Sequence, residues 1–216
     1  MRLVIFFLTI LITQNCLAID DVFAYYAGAY RIPKRVLRAI ARHESNMHPW
    51  TFNMVGRSKE KTSFESFYCD DKDSCLKMLA KIVDKPWLVK VKLKNGETKR
   101  FLFESKVKAY RKKKISRLVY EKTLKDIYVV KLDPKMVDIG IMQINLYYHG
   151  AKFDSISQLF EPDYNINYAA SFLSSKLKEC DNDMMCAVGR YHSKSKSKQQ
   201  IYLKAFKRAY SKEAGH

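Results

Sequence analysis

One acidic residue, Glu44, stands on the apolar face of a predicted amphipathic helix. The helix spans residues 33–45, and the residues spaced at i, i+3, i+4 and i+7 share one of its faces: Leu37, Ile40, Ala41 and Glu44. The opposite face is predicted to be solvated because it carries four cations: Lys34, Arg35, Arg38 and Arg42. The chain must therefore fold around a helix whose core-facing side ends in an acid.

The position of Glu44 in this helix predicts an altered pKa. Pro33 fits the first turn and Asn46 opens the stretch that ends the helix, so Glu44 lies in the last turn. Burial and the negative end of the helix dipole both disfavour the carboxylate form, so both raise the expected pKa. A carboxyl group that stays protonated near neutral pH can act as a general acid. Alternatively, Glu44 lies at the rim of the helix face and its carboxylate extends into water.

The N-terminus has the pattern of a secretory signal peptide. Residues 3–12 are almost wholly apolar, but they are fewer than the roughly 20 that span a bilayer as a helix. Polar residues follow and then Cys16-Leu17-Ala18, so we predict a signal peptide at 1–18 and export to the periplasm. A retained anchor is the alternative, because Cys16 is an imperfect small residue before the cleavage site. No later segment reaches membrane-spanning length, and the mature protein is expected to have no integral membrane segment.

The chain is strongly basic, with a formal net charge of +18. Removal of the signal peptide takes away Arg2 and leaves 39 basic against 22 acidic side chains. Such an excess favours polyanionic surroundings, which include nucleic acid, anionic lipid and carboxylate-rich polymers. Export argues against nucleic acid as the main partner, and no recognised nucleic-acid-binding module accompanies the cations.

Four cysteines remain after cleavage, in two pairs that each enclose five residues: Cys69 with Cys75, and Cys180 with Cys186. In an oxidising compartment two small disulfide loops are the natural interpretation. A zinc site is the rival, but the spacing is not CxxC and the five histidines show no paired-ligand pattern, so no metal is expected. The sequence alone permits three disulfide connectivities.

The central segment, residues 57–136, differs from the rest in charge and in periodicity. It holds 23 Lys and Arg against 11 Asp and Glu. It begins with a predicted helix at 74–84, and then alternating residues on both sides of Asn95-Gly96 indicate a β-hairpin with a two-residue turn. A further strand is predicted at 127–132. The cations at 111–114 form either a solvated face or a specific anion site.

Helical periodicity dominates outside this segment. Helices are predicted at 20–30, 164–177, 184–191 and 200–210, with residues 193–199 as a mobile loop. We therefore predict an α+β, mainly α fold. One helical domain comprises 19–56 and 137–216, and a basic, partly β insertion at 57–136 interrupts it.

Three motifs follow Glu44 in order along the chain. They read DIGIMQIN at 138–145, PDYNINYAASFL at 162–173 and AVGRYHS at 187–193. Together with Glu44-Ser45 they make the chain resemble the lysozyme-like lytic transglycosylases of the SLT domain family, especially the small type found with secretion, conjugation and pilus machineries. In that family a Glu-Ser pair closes a helix, a G-[LI]-M-Q block follows, then an Asn-Ile helix, then a tyrosine motif. The resemblance covers about 20–56 and 137–210 and leaves the insertion unexplained.

The resemblance implies a lysozyme-like fold and a single catalytic carboxyl group, Glu44, without cofactor or metal. It implies cleavage of the β-1,4 bond between N-acetylmuramic acid and N-acetylglucosamine in peptidoglycan, with a 1,6-anhydromuramyl product. The residues that it would bring to the glycan are Ser45, Gly140, Met142, Gln143, Asn145, Asn165, Tyr168, Tyr191 and His192. The expected partners are glycan strands and subunits of an envelope-spanning machinery, and the expected oligomeric state is a monomer.

The residues themselves leave simpler roles open. Met142 and Tyr168 could pack in the core, Gly140 could serve only a backbone turn, Tyr191 could be a satisfied buried tyrosine, and His192 could lie at a rim. The usual glycosidase has two carboxylates, and the candidates for a second one are Asp138 and Asp163, to which the resemblance gives no such role.

Three other functions remain open. One is a hydrolytic muramidase on the same fold, and the others are a non-catalytic periplasmic adaptor and a polyanion-binding protein. The insertion could hold the protein on the carboxylates of peptidoglycan or dock a secretion-system subunit.

Overall fold

The computed structural model describes residues 18–213, so the predicted signal peptide lies outside the described residues except for Ala18. The helices are α1 (Ile19–Tyr30), α2 (Lys34–Ser45), α3 (Lys72–Asp84), α4 (Lys106–Val119), α5 (Leu146–His149), α6 (Pro162–Glu179), α7 (Met184–His192) and α8 (Lys196–Lys212). The strands are β1 (Thr51–Arg57), β2 (Thr62–Tyr68), β3 (Trp87–Leu93), β4 (Thr98–Phe103), β5 (Leu124–Ile139) and β6 (Ile144–Asn145). Two 3-10 turns, Gly150–Lys152 and Ile156–Phe160, precede α6. The predicted fold class, α+β and mainly α, is confirmed.

Helix α2 forms as its pattern predicts. Leu37, Ile40 and Ala41 are completely buried. Asn46 adopts a left-handed conformation with φ of 54°, and its N–H donates to the carbonyl of Arg42, which satisfies a free acceptor at the helix end. The helix therefore ends at Ser45, and Glu44 stays in its last turn.

The sheet has the order β2-β1-β5-β3-β4, with all neighbours antiparallel. Strand β5 is its centre, because its first part pairs with β3 and its second part with β1. At the end of β5, Asp138 and Ile139 pair with β1 and also with β6. One continuous strand thus leads from the basic segment to the DIGIMQIN motif.

Two apolar cores support this arrangement. The main core joins α1, α2, α6, α7 and α8 to the near side of the sheet, where Met54, Leu88 and Val130 are buried. A smaller core lies between β3, β5 and α4, and its buried residues are Val89, Val91, Leu93, Ala109, Ile127 and Val129. Part of the predicted insertion therefore shares the main core, while α4 packs on the smaller one.

The cysteines pair as neighbours in sequence. Cys69, after β2, is bonded to Cys75 in α3, and Cys180, at the end of α6, is bonded to Cys186 in α7. Both bridges close short loops beside a helix terminus. The structure thus selects one of the three connectivities that the sequence permits.

Two local predictions are wrong, and one helix was not predicted. That helix is α4, which contains the cations 111–114. The hairpin loop has three residues, 94–96, because Leu93 N–H donates to the Glu97 carbonyl and Gly96 takes a φ of 92°. The loop predicted at 193–199 is shorter, since α8 begins at Lys196.

Arg38 was predicted on the solvent face of α2 but is buried, with 9% of its surface exposed. Its Nε donates to Oε2 of Glu213 at 2.6 Å, and its guanidinium also pairs with Asp20. Arg42 donates to the other oxygen of Glu213. These ion pairs join α1, α2 and the end of α8. Burial alone would raise the pKa of Glu213, but the hydrogen bonds from the two arginines hold it below its usual value.

Within residues 18–213, no helix is both long enough and apolar enough to cross a bilayer.

The ion pairs of Glu213 predict a test of how α2 and α8 are held together. Glu213→Ala should lower the free energy of unfolding by about 3 kcal/mol, because it removes the carboxylate that pairs with both the buried Arg38 and Arg42. Glu179→Ala is the matched control, because the pair of Glu179 with Lys176 is exposed, and the loss there should stay below about 1 kcal/mol. Urea unfolding at pH 7 measures both changes.

The same two variants have a predicted pH dependence. The lowered pKa of Glu213 means that its stabilisation is present above the usual glutamate pKa of 4.5 and is lost as the pH falls through the folded-state value. The difference between the variants should therefore shrink in acid. Equal losses of stability in Glu213→Ala and Glu179→Ala at pH 7 would show that the buried ion pair contributes no more than the exposed one.

Candidate active site

Glu44 lies in the last turn of α2 among buried residues, and a small part of its surface stays accessible. Burial raises its pKa from 4.5 to about 7, and the charge of Asp138 adds to the rise. A hydrogen bond from the Tyr202 hydroxyl to Glu44 Oε1, 2.7 Å long, acts in the opposite direction. Glu44 can therefore be protonated or ionised near neutral pH.

Asp138 is the second carboxyl group of the site, and it is partly buried. It lies near the end of β5, and burial raises its pKa while a hydrogen bond from Asn145 lowers it. Asn145 Nδ2 donates to Asp138 Oδ1 at 2.8 Å. The other end of the same amide, Oδ1, accepts the backbone N–H groups of Tyr147 and Tyr148 at the start of α5. Asn145 thus fixes Asp138 relative to the following helix.

The loop that follows β5 is held by the buried amide of Asn165. Asn165 Nδ2 donates to the carbonyls of Ile139 and Leu159 at 2.9 and 2.8 Å, and Oδ1 accepts from Met142 N–H at 2.7 Å. Gly140 has a φ of 79°, and a Cβ there would lie 2.4 Å from Asn165 Nδ2. The loop requires glycine both for its backbone conformation and for the close approach of the amide.

Gln143 ends this loop in a left-handed conformation with φ of 50°. Its Nε2 donates to the Gly140 carbonyl at 2.8 Å. Its Oε1 is buried and has no hydrogen-bond partner among the described residues. A buried acceptor without a partner is costly, and a donor that came within reach would relieve that cost.

An aromatic wall borders the loop on the side of α6 and α7. The Tyr191 hydroxyl donates to the Met142 carbonyl at 2.9 Å, and the rings of Tyr191 and Phe172 lie 5.7 Å apart. The Tyr168 hydroxyl forms a 2.8 Å hydrogen bond with His149 Nδ1. Burial raises the pKa of Tyr191 well above its usual value, and the charge of Glu44 raises it further, so Tyr191 remains a neutral donor.

A groove of about 330 Å³ lies beside Tyr168. Its lining combines aromatic rings with amide, carboxyl, amine and hydroxyl groups: Tyr30, Lys152, Phe153, Asp154, Gln158, Tyr164, Asn167, Tyr168 and Ser171. Flat apolar faces beside polar groups are the surface that a sugar ring requires, because the ring has apolar faces and hydroxyl edges.

Tyr202, the residue that contacts Glu44, was missed by the sequence analysis. It lies on α8 with 3% of its surface exposed, and its ring stacks on His192 at 4.4 Å and meets the edge of His43 at 4.9 Å. On a helix, Tyr202 and Phe206 share a buried stripe, so its spacing indicates only a core residue. No motif marks it.

The structure places the predicted site residues in two layers. Ser45, Met142 and Asn165 are buried, and Ser45 Oγ donates to the Ala41 carbonyl rather than to Glu44. These three residues form the buried layer that supports the site. His192 is exposed at the rim, but its ring is partly buried, and this partial burial together with the charge of His43 lowers its pKa. The remaining predicted residues are Gly140, Gln143, Asn145, Tyr168 and Tyr191, which form the loop and the wall.

Asp163, the other candidate for a second carboxylate, is turned towards α1. It accepts a hydrogen bond from the Tyr26 hydroxyl at 3.0 Å in an exposed position. Among residues 18–213, no group of three or more histidine, cysteine and acidic side chains is placed to hold a metal ion.

A family model described as Transglycosylase SLT domain matches residues 104–213, which is half of the chain. The matched span includes the motifs at 138–145, 162–173 and 187–193 and also Tyr202. It begins inside the predicted insertion and does not reach Glu44. Comparisons with curated proteins and with solved structures gave no match.

The Asn165 contacts predict that the loop cannot accept a side chain at Gly140. Gly140→Ala should lower the free energy of unfolding by about 3 kcal/mol, through the positive φ and the clash with the amide. Gly28→Ala is the control, because Gly28 lies in α1 with no atom within 4 Å of its added Cβ, and it should raise stability by about 0.5 kcal/mol. Denaturant unfolding measures both, and similar effects at the two glycines would contradict the role of the loop.

Proposed function

Because the chain belongs to the transglycosylase SLT domain family, we propose that it is a lytic transglycosylase of peptidoglycan. The bond cleaved is the β-1,4 linkage between N-acetylmuramic acid and N-acetylglucosamine. Family membership supports peptidoglycan cleavage of the lytic transglycosylase type. The observation that carries the assignment to a residue is the buried carboxyl group of Glu44, whose pKa is raised to about 7.

In the proposed reaction Glu44 acts first as an acid. Its protonated carboxyl group donates to the glycosidic oxygen as the bond to C1 of the muramyl sugar breaks. The substrate's own acetamido group supports the positive charge that develops at C1. A group with a pKa near 7 is protonated often enough at neutral pH and still releases its proton readily.

Glu44 then acts as a base. The carboxylate takes the proton of the muramyl 6-hydroxyl while that oxygen closes onto C1. The product is a 1,6-anhydromuramyl end, no water is consumed, and Glu44 returns to its protonated form. One carboxyl group that changes protonation state twice is sufficient for the whole cycle.

Tyr202 has a positioning role in this proposal. Its hydroxyl donates to Oε1 of Glu44, which holds the carboxyl group in one orientation and leaves Oε2 for the substrate. The same hydrogen bond favours the ionised form and therefore limits the rise in pKa. His43 and His192 flank the Tyr202 ring and restrict its movement.

The glycan would be held by the loop and the aromatic wall. The free Oε1 of Gln143 suits an amide N–H or hydroxyl of the sugar, since a donor there would remove the cost of a buried unpaired acceptor. The groove beside Tyr168 offers ring faces and polar groups for a further sugar.

Asp138 favours a second candidate, a hydrolytic muramidase. Most glycosidases use two carboxyl groups in different environments. Asp138 is close enough to Glu44 to raise the pKa of Glu44. In that case water rather than the 6-hydroxyl would attack C1. Fragment masses separate the two, because an anhydro end is lighter than a reducing end by one water.

The biological role is proposed from the resemblance alone. We infer export to the periplasm and action as a monomer on the cell wall where an envelope-spanning apparatus is assembled. A non-catalytic adaptor would have no use for a glutamate whose pKa is raised by burial beside Tyr202.

Replacement of the proposed acid tests the function directly. Glu44→Gln should lower glycan release from purified sacculi by at least about a hundredfold, because the amide cannot transfer the proton. Mass spectrometry of the fragments made by the unaltered protein identifies anhydro or reducing ends. Glu179→Gln on the exposed surface is the control and should keep full activity. Fragment release by Glu44→Gln at the unaltered rate would remove Glu44 from the mechanism.

The same variant has a predicted effect on stability. The folded-state pKa of Glu44 lies above the unfolded value, so the contribution of the native site is full below pH 4.5 and is lost as the pH rises through 7. A neutral amide escapes this loss. Between pH 4 and pH 8, the free energy of unfolding of Glu44→Gln should rise by about 2 to 3 kcal/mol relative to that of the unaltered protein. Urea unfolding at both pH values measures this change.

Removal of the Tyr202 hydroxyl should change the pH dependence of the reaction. In Tyr202→Phe the Glu44 carboxylate loses its hydrogen bond, so its pKa rises and the alkaline limb of the rate profile, expected near pH 7, moves to higher pH. Tyr210→Phe on the same helix is the control, because the Tyr210 ring packs under Arg35. An unchanged limb in Tyr202→Phe would mean that the hydrogen bond does not tune the reacting group.

A further inference from the structure

Helix α4 has an unusual charge. Its 14 residues, Lys106–Val119, include seven cations and no acid. Two of the cations have acidic partners outside the helix, Lys108 with Glu104 and Lys113 with Glu60. The helix thus presents a positive surface that the rest of the described chain neutralises only in part.

The same helix exposes aliphatic side chains. Four of the six large aliphatic residues that are exposed within residues 18–213 lie on α4: Val107 at 77%, Leu118 at 72%, Val119 at 65% and Ile115 at 45%. The other two, Val83 and Ile201, lie on different helices. The opposite face of α4, with Ala109 and Ser116, is buried against the sheet. The exposed aliphatic residues therefore form one outward face.

Cations lie between these aliphatic residues. Val107, Arg111, Lys114 and Leu118 are spaced at i, i+4, i+7 and i+11 and so form one stripe along the exposed face. Arg111, Lys114, Ile115 and Leu118 are all exposed. A solvated charged face has no need of aliphatic residues, and an apolar protein contact has no need of so many cations.

A shallow depression of about 260 Å³ borders this face. Tyr110, Lys113, Lys114 and Arg117 line it. Three cations and a phenol around a small hollow suit a phosphate group, to which Lys and Arg donate charged hydrogen bonds.

We propose that α4 docks on an anionic lipid surface, with its axis parallel to the membrane. The aliphatic side chains enter the boundary between headgroups and acyl chains, and the cations extend to the lipid phosphates. A lipid surface can contact both kinds of side chain on this face, the cations through its phosphates and the aliphatic residues through its acyl chains. The carboxylates of peptidoglycan would attract the cations but offer little to four exposed aliphatic side chains.

Co-sedimentation with vesicles tests the proposal. The full chain is mixed with vesicles of phosphatidylethanolamine and phosphatidylglycerol, and separately with vesicles of phosphatidylcholine, at low and high salt. Arg111→Gln/Lys114→Gln removes charge, and Ile115→Ser/Leu118→Ser removes apolar surface. The matched controls are Lys207→Gln/Arg208→Gln and Val83→Ser/Ile201→Ser, which change exposed residues of other helices. Every sample carries the same N-terminus, so differences report on the substituted positions.

The expected result is preferential binding to the anionic vesicles. The charge variant should bind them about thirtyfold more weakly, from about a fivefold loss for each of the two cations, and the apolar variant about tenfold more weakly. Both controls should bind like the unaltered protein, and thermal melting should show that all variants fold.

Two results with vesicles would overturn the proposal. One is equal binding to anionic and neutral vesicles. The other is an apolar variant that binds anionic vesicles as well as the unaltered protein does, because α4 would then act only as a general polyanion site.

Pelleting with purified sacculi is the third arm of the experiment, and there the apolar variant should behave like the unaltered protein. A loss confined to sacculi would assign the face to the glycan polymer instead. Digestion of sacculi by the α4 variants separates this proposal from the function of Glu44, since catalysis does not depend on lipid docking.

Discussion

The buried amide of Asn165 is the interaction on which the site depends. Its three hydrogen bonds connect the end of β5, the turn before α6 and the loop at Met142. A buried backbone group without a partner is costly, and one side chain here satisfies three of them. Because Gly140 leaves no room for a Cβ beside this amide, the glycine and the asparagine require each other. The loop that carries Gln143 is thereby held in place by contacts within the chain.

In the proposed mechanism, Glu44 is a reactive group that is kept at a cost in stability. Burial destabilises its carboxylate, and the hydrogen bond from Tyr202 recovers part of that loss. A stronger set of donors would bring the pKa back towards 4.5 and leave too little acid at neutral pH. A completely apolar surrounding would raise the pKa until the base could not form. The hydrogen bond from Tyr202 to one oxygen of Glu44 gives a pKa between these two limits.

The parts of this picture that depend on local pattern could be predicted from the sequence, and the parts that depend on distant partners could not. The spacing of residues along α2 placed Glu44 on the buried side, and the motif at 138–145 indicated the loop. Arg38 was misplaced because its partner Glu213 lies 175 positions further along the chain. Tyr202 was missed for the same reason, at a separation of 158. Helix α4 was missed because seven cations obscure an apolar period that in any case faces outward.

The basic segment, residues 57–136, supports the site structurally and is not a separate module. It contributes β5, the strand that ends at Asp138 and Ile139. Within the segment a buried glutamate, Glu65, accepts hydrogen bonds from Lys90 and Tyr128 at 2.7 Å each, which locks β2, β3 and β5 together, since removal of one member of a buried pair is strongly destabilising. Any contact that α4 makes therefore acts on a rigid sheet continuous with the site. Deletion of the segment would remove the support of the DIGIMQIN loop along with the cations, so only substitutions on the outer face of α4 can separate the proposed attachment from the proposed catalysis.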